Sequence, residues 1–97
     1  MGKGYEMTLS QVKLKNITDK IYKYIDDKRS DSSYYGNKSV QVVDLLKSTG
    51  DLEAFCRGNA IKYISRWGKK GDKKNMDDLH KAIHYIVILM EEVRDES

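Results

Sequence analysis

Proline is absent from the 97 residues, and cysteine, tryptophan and phenylalanine occur once each. Without proline nothing interrupts a helix from within, so the chain favours long unbroken helices. The single Cys56 cannot close an internal disulfide, and with two histidines it does not make an ordinary structural zinc site. Long hydrophobic runs are also missing. The longest fully apolar stretch, Ile86–Met90, is far short of the ~20 residues a membrane helix needs. The start, MGKGYEMTLSQ, has no apolar stretch of a secretory signal, and Glu6 stands where a myristoylation signal takes Ser or Thr. A soluble protein of the cell interior is the expectation.

What the chain does have is charge. Charged residues are 34% and hydrophobic residues 39%, enough for one small domain with a modest core under a polar surface. The net charge of +3 says little by itself. Its distribution says more: Arg57, Lys62, Arg66, Lys69, Lys70, Lys73 and Lys74 face only Asp72, so this segment carries +6 and the remainder −3. A concentrated positive segment in an otherwise acidic chain points to an anionic ligand.

Periodicity divides the chain into a flexible start over residues 1–9 and a single helical domain over 10–97. From Ser10, a candidate N-cap, to Arg29, the residues Leu14, Ile17, Ile21, Tyr24 and Ile25 recur at three- and four-residue steps. The polar run Ser30–Lys38 ends that helix, and Ser39 is placed to cap a second, with Val40, Val43 and Leu46 on its face and Gly50 at its end. Asp51 opens a third helix that Gly68 ends. Asn75 and Asp78 stand at N-cap and N3 spacing at the head of a fourth, where Asp77 and Asp78 suit the helix dipole. Leu79, Ala82, Ile83, Ile86, Met90 and Val93 make its predicted buried face. Val87, Ile88 and Leu89 leave its second half apolar almost all round, so it is expected to be central or covered by another subunit. The fold expected is all-α, a bundle of about four helices assembled as a homo-oligomer.

The third helix carries the candidate site. On a helical wheel Cys56, Ala60, Tyr63, Ile64 and Trp67 form the core side, while Phe55, Asn59, Lys62, Arg66 and Lys69 lie in one opposite line. Gly58 flanks that line and allows close approach. Phe55 can stack on a base, Asn59 can bond a base or sugar, and Arg66 can grip phosphate, with Lys69 and Lys70 adding positive potential. The stripe's candidate ligand-binding residues are therefore Phe55, Asn59, Lys62, Arg66, Lys69 and Lys70; Tyr63, on the core side of the wheel, joins these candidates through a family resemblance. An amphipathic helix also needs a solvent face, but Phe55 and Gly58 are poor residues for one.

Other constellations carry less. Gly68-Lys69-Lys70-Gly71 is a lysine-flanked turn, not a P-loop. His80 and His84 are four apart, with Glu91 further along, but no third metal ligand is evident, so they read as polar residues of a solvated or interfacial face. Cys56 falls on the core side as a small hydrophobe. No catalytic set, cofactor or metal is indicated by spacing.

The runs Gly58-Asn59-Ala60-Ile61-Lys62-Tyr63-Ile64-Ser65-Arg66, Lys69-Lys70 and Asp78-Leu79-His80-Lys81-Ala82-Ile83-His84-Tyr85 resemble the SaV-like family of small bacteriophage proteins. Tyr35, Val43-Asp44 and Phe55 match further parts of its pattern, so the resemblance covers about residues 34–92. The matching polar positions are Asn59, Lys62, Tyr63, Arg66, Lys70, Asp78, Lys81 and Tyr85, whereas Trp67 and His84 depart from the pattern. The resemblance implies a phage protein working in the cytoplasm of the infected bacterial host. It also implies kinship with a domain of a podophage nucleotide kinase and with a lactococcal phage protein recognised by a host abortive-infection system.

Three functions are then expected in order. The first is binding of a nucleotide or nucleotide-like phosphate through the basic stripe, as in sequestering a nucleotide signal of host defence. The second is a small nucleoside-monophosphate kinase, since phosphoryl transfer is largely positioning and charge stabilisation. The third is a factor that docks on a host defence protein. Membrane association is not expected, and the acidic remainder argues against nucleic acid.

Overall fold

The computed structural model describes residues 6–30, 35–69 and 74–96. Among them are four helices and no strand: α1 (Leu9–Ser30), α2 (Tyr35–Thr49), α3 (Leu52–Arg66) and α4 (Met76–Glu96). The all-α, four-helix expectation holds. No helix is long and apolar enough to cross a membrane, among the described residues.

Local chemistry explains where each helix begins and ends. α1 starts one residue before the predicted Ser10. Its cap is Thr8, whose Oγ1 accepts from Gln11 N–H at 3.1 Å while Gln11 Oε1 accepts from Thr8 N–H at 2.7 Å. This reciprocal pair satisfies two backbone donors and outcompetes a lone serine. α2 begins before Ser39, which therefore lies inside the helix rather than at its cap. Gly36 and Asn37 fall in the first turn, where the backbone N–H groups have no intrahelical partner to lose and low helix preference costs little.

The two glycine stops are as expected. Gly50 has φ +80 and Gly68 φ +79, the left-handed conformation that ends a helix. After α2, Asp51 N–H donates to Leu46 C=O at 2.9 Å and Gly50 N–H to Lys47 C=O at 3.2 Å, closing the helix end. At the head of α4, Asn75 Oδ1 accepts from Asp78 N–H at 2.9 Å, the predicted cap.

The core is small and lies between α3 and α4. Leu52, Cys56 and Ala60 on α3 and Ala82 on α4 are its buried apolar residues, and small side chains let the two helices approach closely. α1 contributes no fully buried residue. Tyr24 lies against His80 and His84, and Arg29 against His84 and Glu91, so α1 and α4 run in the same general direction. Only the second half of α1 makes this contact; every residue from Leu9 to Lys20 is exposed. The radius of gyration is 16.6 Å, against about 12.5 Å for a compact chain of this length.

Several predicted core positions are therefore at the surface. Ile64 is exposed because α3 meets α4 along Leu52, Cys56 and Ala60, and each step of four residues turns the line by about 40°, which carries Ile64 about 80° round from fully buried Cys56. Ile86, Met90 and Val93 are exposed because they lie on the far side of α4 from His84 and Glu91, which meet Arg29 of α1, whereas Leu14 and Ile17 are exposed because that half of α1 runs beyond α4.

Candidate functional site

The stripe on α3 meets a matching row on α4. Tyr63 is half-buried, with its ring nearly parallel to that of Tyr85, 9° between planes and 6.1 Å between centroids. Phe55 stands edge-on to the other side of this row, 5.8 Å from Tyr85. The predicted stacking residue is thus both a helix-junction residue and an accessible one, with 36% of its surface exposed.

Three cations converge on Tyr63. Lys62 Nζ lies 4.7 Å, Lys81 Nζ 5.3 Å and the Arg66 guanidinium carbon 5.4 Å from the ring centroid. The ring's negative face attracts each of them and holds like charges closer than water alone would. Two carboxylates at the first turn of α4 balance part of the charge. Arg66 Nε is 3.4 Å from Oδ2 of Asp78, which is only 5% exposed. Lys81 Nζ is 3.1 Å from Asp77 Oδ2, and the hydrogen bond to that carboxylate holds the lysine's pKa above its ordinary value. Lys62 has no ion-pair partner among the described residues.

The remaining predicted residues divide. Asn59 Nδ2 donates to the Phe55 carbonyl at 2.9 Å, so this amide braces its own helix rather than facing outward alone. Lys69 is exposed just past α3, where its N–H donates to the Arg66 carbonyl at 3.2 Å. Lys74 Nζ lies 5.9 Å from the Trp67 ring centroid and extends the positive region toward the start of α4. Lys70 lies outside the described residues.

The wheel of α3 alone did not place Lys81, Tyr85 and Asp78 in the site. They stand three, four and seven residues apart on α4, the spacing of one helix face, and that spacing was the available signal.

A second polar cluster joins α1 to α4. Arg29 donates from Nη1 and Nη2 to the two oxygens of Glu91 at 2.9 and 2.8 Å, and from Nε to His84 Nε2 at 3.2 Å. Burial first, and then the Arg29 charge, hold the His84 imidazole below its ordinary pKa. The Arg29 hydrogen bonds hold the Glu91 carboxyl below the usual range. His80 and His84 are thus interfacial residues, as their spacing suggested, and no group of three metal-binding side chains forms among the described residues. Cys56 is fully buried, and burial pushes its thiol pKa up.

The profile of one family, described as a protein of unknown function (DUF3310), matches residues 29–87, more than half of the chain. The chain belongs to the DUF3310 family. The match takes in α2, α3 and the first half of α4, and with them every residue of the aromatic and cationic site. It leaves out α1 up to Lys28 and α4 beyond Val87. Searches of curated proteins and of solved structures return no match.

Proposed function

We propose that this DUF3310 chain binds a nucleotide or nucleotide-like phosphate on the face shared by α3 and α4. The observation that carries the reading is the convergence of Lys62, Arg66 and Lys81 on Tyr63, beside a row of rings that ends in exposed Phe55. Helical rise puts Phe55 and Lys62 about 10 Å apart along α3. The phosphates take the cationic end, and the base lies against the open side of Phe55. Buried Asp78 sets the position of Arg66, and the rings position Lys62 and Lys81 before any anion arrives, which lowers the ordering cost of binding. In the phage setting implied by the sequence resemblance, such a site serves to hold a nucleotide signal of host defence in the bacterial cytoplasm.

The test is to incubate the protein with a mixed pool of nucleoside mono- and triphosphates, cyclic oligonucleotides and ADP-ribose derivatives, then analyse the retained and free fractions by mass spectrometry. A retained, unaltered nucleotide is expected, and Lys62→Ala with Arg66→Ala should abolish retention while helical content stays. New diphosphates in the free fraction would assign a kinase instead. Undiminished retention by the double variant would remove the site assignment.

A further inference from the structure

Both α1 and α4 carry an apolar seam of which the chain covers only half. On α1 the line Leu14, Ile17, Ile21, Tyr24 repeats at seven-residue spacing, the period of helices that pack side by side. Ile21 and Tyr24 are half-buried where α1 meets α4, whereas Leu14 is 62% and Ile17 50% exposed on the same line. Met7, Gln11, Leu14, Lys15 and Thr18 border a shallow groove along this uncovered stretch. On α4 the line Leu79, Ile86, Val93 keeps the same period, with Ala82 and Met90 beside it. Ala82 is buried, but Met90 is 61% and Val93 66% exposed.

The two uncovered halves are opposite in charge. Leu9–Lys20 carries Lys13, Lys15 and Lys20 against Asp19, and Met90–Glu96 carries Glu91, Glu92, Asp95 and Glu96 against Arg94. Lys15 already pairs with Asp19, Glu91 with Arg29 and Glu92 with Lys47, so the charge offered to a partner rests on Lys13 and Lys20 on one side and Asp95 and Glu96 on the other. They are also too far apart to meet within one chain, because the parallel run of α1 and α4 places them at opposite ends of their contact. The accessible surface of 7699 Å² is about 2,000 Å² more than a compact chain of this mass exposes. A specific interface takes about 800 Å² from each partner, less than half of this surplus, so the chain has enough excess surface for an association between copies.

We infer that the first half of α1 packs on the last half of α4 of a second copy of this chain. In a two-fold dimer this contact forms twice, since each copy offers one of each seam, and no seam is left over. Leu14 and Ile17 then lie against Ile86, Met90 and Val93, with the lysines of α1 flanking the acids of α4. The inference does not depend on the nucleotide reading, which concerns another face.

Sedimentation of the wild-type chain at micromolar concentration should give the mass of two chains. Leu14→Glu with Ile17→Glu should halve that mass, and so should Met90→Lys with Val93→Lys, each with helical circular dichroism retained. Mixed together, the two monomeric variants should recover a two-chain species, because one α1–α4 contact is intact in the mixed pair. Leu14→Cys and Met90→Cys, placed on separate chains, should form a crosslink in the mixture beyond what either forms alone; this readout survives even if the charged variants lose helix. A monomeric wild type would overturn the inference. A two-chain mass retained by the α4 variant would indicate an α1–α1 contact instead, and a wild type that joins only a protein of another sequence would assign the seams to a different partner.

Discussion

The α3–α4 pair and the first half of α1 use similar amounts of apolar sequence and reach opposite ends. Between α3 and α4, Leu52, Cys56, Ala60 and Ala82 leave water almost completely. Along α1, Leu9, Val12, Leu14 and Ile17 remain in it. Side-chain size and position explain the difference. Small residues on α3 and α4 allow close approach of the two helices, whereas the branched residues in the first half of α1 meet nothing opposite them among the described residues. The helical pair is a scaffold that presents Tyr63, Tyr85 and their cations; the first half of α1 is exposed along its whole length.

Substitutions should break this contrast in order of burial. Ala82→Leu inserts three carbons where there is no free surface and should destabilise the chain by about 1–3 kcal/mol, read as a lower urea midpoint. Asn75→Ala removes the cap that accepts from Asp78 N–H and should cost about 1 kcal/mol on the same scale.

The α1–α4 joint should respond to acid. His84 holds its neutral form more strongly when folded than when unfolded, so the unfolded chain binds more protons below about pH 6.5. Stability is therefore lost as pH falls from about 6.5, and His84→Asn should remove that part of the slope. Hydrogen exchange should show α1 loosening there before α3 does. Glu91, with its pKa held down by Arg29, contributes a further loss only at lower pH, as its own carboxylate protonates.

The smallest effect is expected on the outer face of α1. Lys23→Ala breaks an exposed pair with Asp27 at 3.2 Å and should change stability by no more than ~0.5 kcal/mol.

Much of the fold was legible in single residues that act locally. Gly50 and Gly68 ended their helices, and Asn75 capped α4, because those residue types satisfy or release a helix end without help from distant groups. Burial was less legible. The periodic lines of α1 and α4 identified faces suited to packing, but not which stretch or side of each a neighbour covers, and this is why Leu14, Ile17, Ile86, Met90 and Val93 stand outside the core. The site was half visible for the same reason. The wheel of α3 placed Phe55, Lys62 and Arg66 on one side and Tyr63 on the core side; only the pairing with α4 brought in Lys81, Tyr85 and Asp78.

The proposed nucleotide site is tested most directly by the aromatic carbon–proton NMR spectrum of the protein during titration with nucleoside mono- and triphosphates and cyclic nucleotides. Binding as proposed moves the ring signals of Phe55, Tyr63 and Tyr85 together, with a shift that saturates and weakens as salt is added. Rings that stay still while signals elsewhere move, or a spectrum unchanged by every nucleotide, would contradict it.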